Sequence, residues 1–350
     1  MDAINVELSA LATISVLAVI PLLSVLRRRL VARTMTGLWP EVAVAAGVGA
    51  IVSLALWSMR FTGIPPLFSA PITALGALFA VIATSPLRVR SLPVRALISA
   101  VVTALVFVPA AIAVFGSAFN FLFTSAGFID LGASLAVFVA AGGVGLGILV
   151  VERGVPGDGD DRPRWWAVIR PLLLLWIAWI GWLVGLELAI DDSTRIILFN
   201  AILMPLAGTV AGVVVERIRH RANTSRGLAL GFLGGAIAAT AACAYLEPPL
   251  AAITALIAGA LCALPSPSGS NGGSKSIVTA AVFAGASSLL LLGLFAKDLS
   301  FIYTGQPEVF FGQLAAVAGA GAYGFAIGAG LCFLLRRFEG RRRPRRHRHR

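Results

Sequence analysis

Along this chain the polar and charged residues gather in short clusters, separated by apolar runs of about 20 residues. The runs carry neither the alternation of a strand nor the one-sided stripe of a surface helix. They fall at approximately 7–26, 41–59, 68–87, 95–115, 131–151, 167–187, 196–215, 227–245, 248–264, 277–296 and 310–335, bounded by charge, Gly or Pro. Only Glu247 and the Pro248-Pro249 pair divide the eighth from the ninth. A helix of about 20 apolar residues crosses the roughly 30 Å of a bilayer's hydrocarbon. The pattern therefore predicts an all-α integral membrane protein with about 11 transmembrane helices.

The charged clusters test that count. An odd number of spans puts the two ends of the chain on opposite sides. With the N-terminus outside, 25 of the 28 Lys and Arg fall inside, and only Arg60, Arg195 and Lys297 fall outside. That asymmetry is the positive-inside rule, so the expected topology is N-terminus outside and C-terminus inside. MDAINVELS has no basic residue before the first run, which predicts a retained first helix rather than a cleaved signal. Composition agrees. The chain is 58% hydrophobic and only 13% charged, with mean hydropathy +0.92, against about 25% charge in a soluble domain. The net charge of +12 is mostly topological and needs no nucleic acid. Two domains are expected, a transmembrane unit over 1–338 and a basic cytoplasmic tail over 339–350. The tail RRRPRRHRHR either rests on anionic lipid, at about 1 kcal/mol per basic residue near the surface, or serves only to fix orientation. The expected location is the plasma (inner) membrane, as a multi-pass protein.

Candidate chemistry is sparse. No Asp, Glu, Lys, Arg or His lies deep in a span; Asp130, Glu187 and Glu247 sit at outer ends. An ionisable group at mid-depth is expensive and usually functional, so its absence removes the coupling site of a proton pump or ion-coupled transporter. The histidines, His220, His347 and His349, lie in inside loops or the tail. Cys243, Cys262 and Cys332 lack metal spacing. No metal or cofactor is expected. Asp158, Asp160 and Asp161 could hold Mg²⁺ for a prenyl-diphosphate enzyme, but no second acidic cluster faces them and Arg162 and Arg164 offset them, so an enzyme is not expected. The segment 265–276 reads as a flexible inside linker. Trp176, Trp179 and Trp182 recur every third residue along one side of the sixth span. They read as an interfacial belt, or as π faces that attract a cation. Gly227, Gly231 and Gly235, with Gly324 and Gly328, predict close helix packing.

The segment WIAWIGWLVGLELAIDDSTRIILFNAIL, 176–203, resembles helices of the ammonium transporter (Amt/Rh) family, and Asn200 falls where that family has an Asn. TSRGLALGFLGGAIAATAACAYLEPPLAAITALIAGALCAL, 224–264, is similar to the family's next two helices. FIDLGASLAVFVAAGGVGLGILV looks like its fifth, and FGQLAAVAGAGAYGF, with Gln313, like its last. The resemblance covers most of 7–337. It implies an ammonium-transporter-like fold of two inverted five-helix repeats, roughly 7–151 and 167–296, with an eleventh helix outside. It also implies a homotrimer with a pore in each subunit, ammonium or ammonia as the solute, and a cytoplasmic nitrogen-status signalling protein as a candidate partner.

Carried over position by position, the implied pore is altered. Phe115, six residues after Pro109, replaces an outer-vestibule Trp. Trp179 keeps one vestibule Trp, and Leu186 replaces a Ser that helps hold the ion. Asp130 matches the acid that shapes the recruitment site. Trp182 replaces a gating Phe; the other gating position falls nearer Ala74 than Phe79. The two pore histidines fall on Phe138 and Ala281. Paired imidazoles give a narrow apolar pore a polar wire that can pass a proton. Phe138 and Ala281 cannot, and a pore lined by such groups tends to dewet. Two readings stay open. One is a channel passing ammonia or another small neutral solute without a proton relay. The other is a non-conducting relative acting as sensor, scaffold or partner subunit.

Overall fold

The structure, a computed structural model, describes residues 3–30, 38–58, 66–87, 91–116, 127–152, 165–220, 225–265 and 272–342. The acidic loop at Asp158, Asp160 and Asp161, residues 266–271 of the expected 265–276 linker and the tail from 343 lie outside the described residues; residues 272–276 of that linker are corrected to helix, as the start of an apolar helix that runs to Phe295.

Among the described residues the only regular elements are helices. Eleven apolar ones follow in order: α1 Ala3–Arg29, α2 Leu38–Ser58, α3 Ser69–Thr84, α4 Leu92–Phe115, α5 Leu135–Val151, α6 Trp165–Glu187, α7 Asp192–His220, α8 Ser225–Ala242, α9 Pro248–Ala263, α10 Gly272–Phe295 and α11 Glu308–Arg342. Nine stretches are long and apolar enough to cross a membrane, and α5 and α9 are shorter apolar helices. Each matches one of the eleven runs. Pro248 and Pro249 open α9: a proline in the first turn gives up an N–H that would have no helical partner anyway. α11 continues to Arg342.

Burial divides the helices. α3 and α8 are the most enclosed, whereas α11 and α2 present most of their surface outward. In water such an exposed apolar surface would be a defect; in lipid it is the solvent-matched face. Helix pairs close on small residues, as the glycine spacing predicts. A Cβ added to Gly231 would collide with the backbone of Gly208, and one on Gly328 with the carbonyl oxygen of Val144. Gly143, Gly147 and Gly324 repeat the α11 contact along α5, so these two helices run backbone to backbone.

At one end of the bundle, buried acids meet buried arginines. A carboxylate oxygen of Glu41 lies 2.9 Å from Arg95 Nη2. Arg95 also donates to the carbonyls of Thr84 and Leu87, and Arg27 donates to the Ser85 carbonyl at 2.7 Å. Ser274 Oγ donates to that same carbonyl, which ties α10 to the ends of α1 and α3. Glu216 accepts the Gly227 N–H, and Glu152 lies 3.8 Å from Arg336 and accepts from Cys332. Loops that are basic by sequence thus also carry three buried acids, Glu41, Glu152 and Glu216.

Candidate functional site: a buried aromatic stack

α6 delivers Trp179 and Trp182 inward, three residues and nearly one turn apart. They are 2% and 0% exposed. The belt reading is corrected for both: indoles at a bilayer interface keep a wet edge, and these have none. Trp176 turns the other way. It meets Phe232 edge-on and donates from Nε1 to the Ala201 carbonyl, at the α7–α8 side. A three-residue step rotates about 300° around a helix, so the row of three cannot share one surface.

Phe138 meets the two inward indoles. Its ring lies 5.7 Å from that of Trp179, the planes 11° apart, and 6.0 Å from that of Trp182; the indoles themselves are 5.1 Å apart. All three are buried and in mutual contact, each pair adding about 0.5–1.5 kcal/mol beyond area burial. Phe138 sits in a widened turn over Leu135–Val139, closed by the Ala140 N–H reaching back five residues to the Leu135 carbonyl. Such turns re-aim the side chains they carry. Across from it runs α10: a Cβ on Gly285 would stand 3.3 Å from that of Phe138. Ala281, one turn earlier on α10, is also buried.

The stack has a fixed back wall. Trp179 Nε1 donates to Thr240 Oγ1 at 2.9 Å, and Thr240 Oγ1 donates to the Ala236 carbonyl. The Thr240 carbonyl accepts the Gly132 N–H at 2.8 Å. Thr240 was missed in the sequence; its signal is a lone hydroxyl in the Ala/Gly run of α8.

Asp130 is a helix cap rather than a free acid. Its two oxygens accept the N–H groups of Ser134 and Leu135, at 2.9 and 2.8 Å. The helix N-terminus welcomes the negative charge. Desolvation by the apolar surround pushes its carboxyl up to about 7, against the opposing pull of these backbone N–H groups. The loop before α5 and the turn after α8 are each pinned by one amide side chain. Gln313 Nε2 donates to the Ile129 carbonyl at 2.7 Å, and Asn200 Nδ2 donates to the Cys243 and Leu246 carbonyls beyond α8. Ala133, in the same loop, holds a left-handed φ of 66°.

Leu186 is buried one turn after Trp182 on α6. Phe115, at the end of α4, stacks on Phe68 at 5.4 Å. Phe79 is buried against Phe107 and Ala74 is buried on the same helix, α3. The structure thus brings Phe138, Trp179 and Trp182 into one stack and sets Phe115 in a separate ring pair.

A model of the Ammonium Transporter Family matches residues 88–343, nearly three quarters of the chain. The chain belongs to the ammonium transporter family. An ammonium transporter of Bacillus subtilis is 28% identical over 138 residues, 39% of this chain and 34% of that protein. A putative ammonium transporter of Methanothermobacter thermautotrophicus is 26% identical over 256 residues, 68% of this chain and 61% of that protein. The chain thus covers less than two thirds of either relative. The fold superposes on Saccharomyces cerevisiae Mep2 with a TM-score of 0.84 at 18% identity, over 96% of this chain and 89% of that one. A sensor Amt protein gives 0.79 at 15% identity, over 95% and 93%. The ammonium transporter fold of this multi-pass membrane protein is therefore established.

Proposed function

We propose that this chain moves no net charge with ammonium, and that its pathway admits only ammonia or another small neutral solute. The observation that supports this reading is the burial of Phe138 in ring contact with Trp179 and Trp182, taken with the resemblance that puts the first pore histidine at Phe138. Rings at this point supply no proton acceptor for a relay. An ammonium ion could be held by an indole face in principle. Here the two indoles and Phe138 contact one another, and each is buried, so no ring face stands open to an incoming ion. Leu186 and Ala281 offer no oxygen or nitrogen in exchange for lost hydration, and a bare cation pays several kcal/mol for each unmade contact.

A second reading is a non-conducting sensor, scaffold or partner subunit. The mutual contact of the three rings favours it, because a static stack leaves no gap between them. Both readings share the rest of the proposal: a transmembrane unit over 1–338 with a basic tail over 339–350 on anionic lipid, N-terminus outside the plasma membrane, assembled as a homotrimer of inverted repeats. A cytoplasmic nitrogen-status signalling protein is the candidate partner at the basic end. Neither reading assigns an enzyme activity.

Proteoliposome uptake separates the two. Ammonia entry followed by an internal pH dye, faster than in empty vesicles and without current, supports the neutral pathway. Entry equal to empty vesicles supports the non-conducting reading. A saturable ammonium current overturns both.

A further inference from the structure

The three indoles of α6 differ in one atom's surroundings. Trp176 Nε1 donates to Ala201, and Trp179 Nε1 donates to Thr240. Trp182 Nε1 is fully buried and has no acceptor. Its immediate aromatic neighbours, Phe138 and Trp179, offer ring faces only. Buried Trp N–H groups usually find a partner, and a donor left unmade in an apolar site is costly. A phenyl ring would keep the ring contact without that cost. The orphan donor sits within the stack, where an acceptor that binds and leaves would satisfy it.

The chemistry of that acceptor follows from the surroundings. An ammonium ion has four N–H bonds and no lone pair, so it cannot accept from Trp182. An anion could accept but would lie among rings without a counter-charge; the nearest basic residue earlier on α6 is Arg170, twelve residues and about 18 Å along the helix. A small neutral molecule with a lone pair meets both conditions. We infer that the Trp182 indole N–H is a specificity-determining donor that selects small neutral amines with a lone pair, such as ammonia or methylamine, over their cations. This rests on the neutral-pathway reading above and deepens it.

Ultraviolet resonance Raman spectroscopy reads the hydrogen-bonding state of indole N–H directly, without transport. The difference between wild type and Trp182→Phe isolates Trp182, and Trp182→Tyr supplies the difference if the first variant fails to fold. Equal total ammonia is added at a pH where it is mostly neutral and at one where it is mostly ammonium. The expected result is a shift to the hydrogen-bonded position with the neutral form alone. No shift in either condition, or an equal shift in both, overturns the inference. In proteoliposomes, Trp182→Phe is expected to slow ammonia entry about two- to tenfold, the worth of one neutral hydrogen bond. Unchanged entry in the variant, with wild-type entry above background, also overturns it. Wild-type entry at background with the Raman shift present sinks the pathway while keeping Trp182 as a binding donor.

Discussion

Replacing Glu41 by Gln should be among the most damaging single-atom changes in this protein. Glu41 faces Arg95 at 2.9 Å, with side-chain exposures of 11% and 2%. Arg95 also donates from Nη1 to the Thr84 carbonyl and from Nη2 to the Leu87 carbonyl, and buried Arg27 stands on the neighbouring Ser85 carbonyl. Two guanidinium charges therefore share one carboxylate in an apolar setting. Neutralising that carboxylate strands the charge of Arg95, at about 3–5 kcal/mol for a buried pair broken from one side. A built-in control exists. Lys297 and Glu247 lie 3.3 Å apart but are 53% and 46% exposed, so Glu247→Gln should cost under about 1 kcal/mol. Thermal aggregation of the detergent-solubilised protein, followed by size-exclusion peak height, compares the two. Glu41→Gln should lower the midpoint clearly more than Glu247→Gln. The paired change Glu41→Leu with Arg95→Leu should recover part of the loss, because Arg27, held on the Ser85 carbonyl, is then the single buried charge of the three that remains. Equal midpoints for Glu41→Gln and Glu247→Gln would refute the reasoning.

Other consequences can be checked in the same assay. Gly328→Leu should separate α11 from α5 and lower the midpoint strongly, since even a Cβ there meets Val144, whereas Gly330→Ala meets nothing within 4 Å and should be neutral. Gln313→Leu removes the 2.7 Å donor to the Ile129 carbonyl, with a loss of about 1–3 kcal/mol expected; hydrogen exchange should rise across 127–134, and unchanged exchange there would contradict its pinning role. Thr240→Val removes the Trp179 acceptor while keeping shape; Trp179 N–H should then read as unbonded by resonance Raman, at a cost of about 1–3 kcal/mol.

Much of this architecture is legible in the sequence because lipid imposes a one-dimensional rule. Each span must be apolar for about 20 residues, and basic residues must stay on one side. That is why all eleven runs, even the pair divided only by Glu247 and two prolines, have a helix in the structure. The stack is not legible in the same way. Phe138 lies 41 residues before Trp179 in sequence, and no local period reports a contact between helices so far apart. Trp176 shows the limit from the other side: spacing of three suggests one face, yet accumulated rotation sends it to α7. The buried acids Glu41, Glu152 and Glu216 were hidden by their neighbours, since a loop rich in Arg reads as basic whatever the geometry pairs. Asn200 and Gln313 stood out by resemblance alone. Their role as donors to carbonyls at the mouth of the bundle needed coordinates.

The most direct test of the central claim is charge movement in proteoliposomes after an ammonium pulse, with empty liposomes alongside. The account predicts no current above the empty-vesicle trace at any ammonium concentration, because under the proposed reading Phe138 and Ala281 take the places of the imidazoles that a proton relay would need. A saturable current would contradict it, and would mean that ammonium, or ammonia with a proton, passes the Phe138–Trp179–Trp182 stack by another route.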